Sequence, residues 1–386
     1  MKLLVNIFEF PWKIRNLLKI NIVMENAAKI LTWLPTLDLG ELFQIRDSAQ
    51  SGIDMVKSEI ADNAERRVDS CPHCHHERYI KWGKYGNKQR FKCENCSQTF
   101  TSTTGTVVHW LKKPEAFLKF AGEMFREGIE PLQKEARHVG ISITSAFYWR
   151  HRLLISLKSE IPVFKGITEI DDVWFRYSQK GRRNLRYSRK RGRSSHCGDN
   201  NYQAKLLITK ERHGNLDISL VKIGRLRAAD VSQVLHGKMS ESSTLVSDEH
   251  PSIAKFAKDE GLKHLTFAAS MHAKGADIHV QTVNQIASEL KGSLNRVLRG
   301  VSTKYLQNYA TWFVVLEKFK REAKKVTKII KESISNIKAW DMNTNIEKLY
   351  ELFLQNHSVR TYRCPTQKKW IHQRWNFENA KSGSFL

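Results

Sequence analysis

Apolar residues recur at helical spacing between His279 and Lys291, where Val283, Ile286, Ala287 and Leu290 form a packing stripe. Asn284, Ser288 and Lys291 stand four and then three positions apart and share one polar face. The segment therefore predicts an amphipathic helix able to carry a ligand and, just beyond it, a cation. Upstream, alternation from Gly166 to Phe175 predicts a strand with Glu169, Asp171 and Asp172 in its middle. Side chains alternate along a strand, so Glu169 and Asp171 face one side and Asp172 the other. A second β-rich run, Thr244 to Asp248, ends in a carboxylate just before Pro251 opens a helix.

Between those strands, Gln203 to Thr209 and Leu216 to Lys222 flank His213-Gly214-Asn215 and read as a β-hairpin. Helices at about 229 to 236 and up to about 260, then a short strand Leu265 to Phe267, complete the stretch. Three consecutive antiparallel strands followed by alternating helices and strands is the order of a ribonuclease-H-like α/β fold. The acids fall on its first and fourth strands. Two carboxylates on separate strands with a polar helix residue suggest a metal site acting on phosphates, although an Asp at a strand end is more often a turn former or cap.

Toward the N-terminus, residues 1–66 read as helical and amphipathic. The opening residues superficially resemble a signal sequence, but Glu9, Pro11, Lys13 and Arg15 break the apolar core, so the chain is expected to be cytoplasmic. Met24 is an alternative start. Six cysteines follow, four of them in two tight pairs, Cys71-Pro-His-Cys74 and Cys93-Glu-Asn-Cys96, with eighteen residues between the pairs. In a cytosolic chain that spacing argues for a four-thiolate zinc site rather than disulfides, and the Tyr79 to Lys92 stretch reads as two strands around a Gly-Asn-Lys turn. Residues 67–105 thus form an expected zinc ribbon. Residues 104–158 read as helical, and Ile129 to Arg152 places a helix, a Gly140 turn, a Ser142 cap and a second helix in the order of a helix-turn-helix.

Charge then narrows the partner. The chain of 386 residues carries a formal charge of +25 with a pI near 9.8, so a polyanion is expected. Nucleic acid fits better than membrane, because no run reaches the roughly 18 uninterrupted apolar residues of a spanning helix. Half of the residues from Arg176 to Arg193 are basic, interleaved with Tyr177 and Tyr187, which suits a DNA-facing loop. Arg150, Arg152, Lys180, Arg189, Lys190 and Arg191 are the expected DNA contacts.

Taken in order, these pieces resemble the bacterial insertion-sequence transposases of the DDE type that carry a zinc ribbon and helix-turn-helix before the catalytic domain. The resemblance rests on five pieces: Cys71 to Cys96 with Thr104-Gly-Thr106; Trp149 to Arg152; Glu169 to Asp172 with Lys180 and Arg189 to Gly192; Ser247 to His250; and His279 to Asn284 through Lys291 to Trp312. It implies Asp171 and Asp248 as catalytic acids and magnesium ligands, with Asn284 at the third position where most of the class has Glu. Asn supplies a neutral oxygen, so the implied outcome is a weaker second metal site or an inactive protein. Lys291 would grip phosphate near the scissile bond, and Glu169 and Asp172 are runner-up ligands. The implied activity is magnesium-dependent cleavage and transfer of transposon-end DNA to a target, by a homo-oligomer on double-stranded DNA. The competing reading is an inactive or domesticated zinc-containing DNA-binding protein. The expected domains are 1–66, 67–105, 106–160 (helix-turn-helix), 161–318 (catalytic) and 319–386 (helical tail).

Overall fold

A computed structural model of the protein describes residues 37–65, 68–86, 88–183, 200–267, 273–274, 278–322 and 324–335. Expectations for residues 1–36, for Arg189, Lys190 and Arg191, and for the tail past 335 lie outside the described residues. The chain divides into two compact units. One takes in the described residues up to Leu157 together with those from Val315 onward, and the other is Lys158–Val314.

In the first unit a helix, α1 (Leu39–Glu65), precedes a small antiparallel sheet of β1 (Tyr79–Tyr85), β2 (Lys88–Cys93) and β3 (Thr99–Thr101) in the order β1-β2-β3. The sequence predicts only the first two strands. β3 is too short to show a period, and Phe100 places it by packing edge-on to Tyr79, with centroids 5.6 Å apart. The helix expected from 104 begins only at Pro114, because the threonines before it turn the chain locally. Thr101 N–H donates to Thr104 Oγ1, and Thr106 Oγ1 donates to the Thr103 carbonyl, bonds that compete with helix formation. Then come α2 (Pro114–Arg126), α3 (Leu132–Val139) and α4 (Ile143–Ser156). Proline suits the first turn of α2, where its missing N–H costs no hydrogen bond. Gly140 ends α3 at φ 75°, a left-handed conformation that glycine adopts without strain. Ser142 caps α4 by accepting from Ser145 N–H at 3.1 Å. A helix from near the end of the described chain, α9 (Lys325–Ser335), packs on α2 through its buried Ile329, Ile330 and Ile334.

The second unit is built on five strands: β4 (Ile167–Arg176), β5 (Gln203–Glu211), β6 (Leu216–Ile223), β7 (Thr244–Asp248) and β8 (Lys263–Phe267), in the spatial order β6-β5-β4-β7-β8. β4, β5 and β6 pair antiparallel, whereas β7 lies parallel to β4, and β8 parallel to β7. This is the order expected of a ribonuclease-H-like sheet. α5 (Ala228–Leu235) and α6 (Pro251–Asp259) supply the crossovers and cover one face, where Ile170, Leu207, Val221, Leu245, Ile253 and Phe256 form a fully buried core. Alternation then turns Glu169 and Asp171 to the opposite face. There α7 (Gln281–Lys291) lies on β4 and β5, burying the predicted stripe of Val283, Ile286 and Leu290. Its helical course continues as a wider π-helical turn over Gly292–Val297, and α8 (Leu306–Lys318) follows. None of the helices among the described residues is long and apolar enough to cross a membrane.

Candidate active site and metal centre

The two acids meet through strand register. Parallel pairing sets Ile167 opposite Thr244 and Glu169 opposite Val246. The pairing ends there, and Asp171 and Asp248, each two residues on, face the same side of their strands, near enough for the Asp248 charge to act on Asp171. Burial first, then the carboxylates of Asp172 and Asp248, push the Asp171 carboxyl up to about 7. The Asp172 backbone N–H, donating to Asp171 Oδ1 at 2.7 Å, and the Lys291 ammonium act in the opposite sense. Asp248 Oδ1 accepts from His250 N–H at 3.1 Å, which fixes its carboxylate at the start of α6.

Asp172 does point away, as alternation requires. Its Oδ2 accepts from Lys205 Nζ at 2.7 Å on the opposite face, so it is a core ion pair and not a ligand for anything held by Asp171. Glu169, the other runner-up, is fully buried and already engaged. Its carboxylate accepts from the backbone N–H groups of Thr282 and Val283 at 3.0 and 3.2 Å, from Thr282 Oγ1 at 3.1 Å and from Arg212 Nε at 2.8 Å. With its oxygens turned to the α7 N-terminus, Glu169 is not a metal ligand.

α7 therefore starts at Glu169, and its last residue reaches the far part of the same strand, where the Lys291 ammonium sits 5.7 Å from the centroid of the Trp174 ring. The helix runs alongside β4 past Asp171, with Asn284 one residue beyond the pinned amides and open to solvent. Sequence periodicity put Asn284 and Lys291 on one face; of the two, Lys291 lies close enough to Asp171 to act on its carboxyl. Among the described residues, the cysteine quartet alone brings three or more His, Cys, Asp or Glu groups together with metal-ligand proximity. Among the described residues the acid site brings two carboxylates together, Asp171 and Asp248. Hard oxygen donors of this kind fit magnesium or manganese rather than zinc.

The four cysteines do converge. Their sulfurs all lie within 4.8 Å of one another, with Cys71 to Cys96 and Cys74 to Cys93 each at 3.6 Å. A tetrahedral ion with bonds of about 2.3 Å has sulfur edges of about 3.8 Å, so the quartet could hold one zinc. Two matching knuckles aim them: His75 N–H donates to the Cys71 carbonyl and Ser97 N–H to the Cys93 carbonyl, with φ of 61° at His75 and 57° at Ser97. The His76 backbone N–H, donating to the Cys74 sulfur, lowers that thiol to about 6. Cys96 also receives a lowering backbone bond, from Gln98, yet burial and the neighbouring sulfurs push it up to about 12. Four thiols so close cannot all ionise without a cation among them.

One expected DNA contact, Arg150, is corrected by the structure, and two others have structural partners as well. Arg150 is 1% exposed and pairs with buried Glu135 at 2.6 Å, while also donating to the Glu130 carbonyl. Its guanidinium holds α4 to α3 and has no surface left for phosphate. Lys180 is exposed, and its ammonium donates to the carbonyls of Leu298, Arg299 and Gly300 at 3.1, 3.2 and 2.6 Å, closing the helical end after α7. Arg152 is partly buried and donates to the His109 carbonyl at 2.5 Å, bracing the turn before α2. Sequence reasoning missed these roles because each partner is distant along the chain. The one available signal was Glu135, an acid on the apolar side of its helix that requires a buried cation.

Comparison with known proteins bears on the second unit. Residues 163–314 match the family described as the ISXO2-like transposase domain, a span that contains Asp171, Asp248, Asn284 and Lys291. An uncharacterized protein in transposable element ISH50 of Halobacterium salinarum is 25% identical over 281 residues, covering 68% of this chain and 90% of that protein. Among solved structures, a Mos1 transposase paired-end complex with left transposon end is similar over 62% of this chain and 78% of that one, at 11% identity and a TM-score of 0.24. The Mos1 mariner paired end complex with Mn is similar over 59% and 79%, at 13% identity and a TM-score of 0.25. Chains that superpose so loosely share no common frame, and the sheet order above stands on its own strand pairing.

Proposed function

We propose that the protein is an insertion-sequence transposase that binds the inverted-repeat ends of its element and carries out metal-dependent strand cleavage and strand transfer. The observation that carries this reading is the parallel pairing of β4 with β7 up to Glu169 and Val246, two residues short of Asp171 and Asp248, inside the span matching a transposase domain, with the Asp248 charge felt at Asp171. Asp171, Asp248 and the Asn284 amide oxygen would hold magnesium. Bound there, the metal supplies Lewis-acid activation of a water or DNA 3′-hydroxyl and stabilisation of the leaving oxygen. The residues themselves align the strand: Lys291, on the helix that passes Asp171, neutralises phosphate charge beside the acids.

The cysteine quartet would hold a structural zinc that folds its module, with Lys81, Lys84 and Lys88 exposed on the hairpin to meet phosphate. DNA contact by the α3-turn-α4 pair falls to exposed side chains of α4 such as Thr144 and Tyr148, since Arg150 is buried. The test is nicking of DNA bearing the element's terminal inverted repeats, with and without magnesium. Wild type should cut and Asn284→Ala should cut far less while binding ends equally well; Asn284→Asp should cut at lower magnesium. Tight end binding by wild type without any cleavage would establish the DNA-binding relic instead, for which the neutral Asn284 is the favouring observation.

A further inference from the structure

The buried acid two residues before Asp171 is the part of this unit that the proposed chemistry leaves unused. Glu169 has 0% exposure, yet its two oxygens collect the backbone N–H groups of Thr282 and Val283, the Thr282 hydroxyl and the Arg212 guanidinium. His279 Nδ1 stands 3.6 Å from the same carboxylate, and Arg212 also donates to the His279 carbonyl at 3.2 Å. These partners come from the hairpin turn after β5 and from the stretch His279–Val283 that opens α7, so two separate stretches of chain converge on one carboxylate of β4. A carboxylate at a helix N-terminus meets unpaired N–H groups and the positive end of the helix dipole, and here it is fully buried. Arg212 cancels its charge, so Glu169 adds little to the negative field around Asp171.

We infer that Glu169 is a positioning residue: it latches the N-terminus of α7 to β4 and so sets where Asn284 stands relative to Asp171. This rests on the catalytic reading for its functional half, while the latch itself is a property of the fold. The physical reason for such a device lies in the third ligand. A neutral amide is not drawn to a cation as a carboxylate would be, so its contribution depends on being held in place beforehand. Asn284 follows Val283 directly, and Asp171 follows Glu169 by one intervening residue. The latch thus ties first and third positions together over a few bonds instead of through the loop between them. A buried anion fixed by two amides and a guanidinium resists rotation better than an exposed cap could.

The test uses the full chain and the variants Glu169→Gln and Glu169→Ala, with two readouts. The first is hydrogen exchange of the α7 amides in the absence of metal. Gln turns an NH2 group toward donors and loses the charged bond to Arg212, so both variants should exchange at Val283 to Ile286 about tenfold to a hundredfold faster, with the sheet core unchanged. The second is the magnesium concentration at half-maximal cleavage of end-bearing DNA, which should rise roughly tenfold in Glu169→Gln while end affinity holds. General destabilisation is separated by urea unfolding in chelator, and the magnesium midpoint is compared under conditions where both proteins are fully folded. Unchanged α7 exchange in both variants overturns the latch, whether or not the wild type cleaves. Faster exchange with an unmoved magnesium midpoint overturns its link to Asn284. Absence of wild-type cleavage would defeat the proposed function and, with it, the positioning role, and the exchange result would still decide the latch.

Discussion

Replacing Asp171 by Asn should make the metal-free protein more stable, even as it abolishes cleavage. In the folded protein burial first, then Asp172 and Asp248, push this carboxyl from the ordinary carboxylate range up to about 7. At about 1.4 kcal/mol per unit, ionised Asp171 costs the fold up to about 4 kcal/mol. The sign follows from a folded-state pKa above the unfolded one. Wild type is penalised least below pH about 4, increasingly between about 4 and 7, and fully above about 7. Asn keeps an oxygen to accept from Asp172 N–H and removes the charge. Urea unfolding in chelator at pH 8 should therefore show Asp171→Asn ahead of wild type by some 2 to 4 kcal/mol, and the advantage should vanish as pH falls toward 4. Magnesium should stabilise wild type and leave the variant unmoved, because the cation relieves the repulsion that the mutation removes. A variant no more stable than wild type at pH 8, or an advantage that grows in acid, would refute the reasoning.

Zinc content should be one ion per chain and fall on Cys93→Ser with loss of the module's fold, measured by metal analysis and circular dichroism; unchanged zinc would rule out the quartet as its site. Arg150→Ala should cost roughly 3 to 5 kcal/mol by leaving Glu135 buried and unpaired, and pairing Arg150→Met with Glu135→Leu should recover most of it. A loss of DNA affinity without loss of stability would instead restore Arg150 to the interface. End affinity should fall steeply between low and physiological salt, as expected when lysines and arginines displace counterions from phosphate; a flat titration would argue against a phosphate-dominated interface.

Patterns of local period carried a good part of this protein in the sequence. The alternation around Asp171, the helical stripe of Val283, Ile286 and Leu290, the Gly140 turn with its Ser142 cap and the paired cysteine knuckles all depend on residues within a few positions of one another. Backbone geometry enforces such patterns wherever they occur, so they are readable without a fold. What the tertiary structure decided was the fate of charges. Arg150 and Lys180 looked like hands for phosphate by composition, and Glu169 like a spare metal ligand, yet each finds partners 15 to 120 residues away. Whether a charged side chain is a core pair, a helix cap or a free reagent depends on the dielectric around it and on which distant groups fold against it. Neither is encoded in its neighbours along the chain, because burial arises only when the sheet and helices close over it.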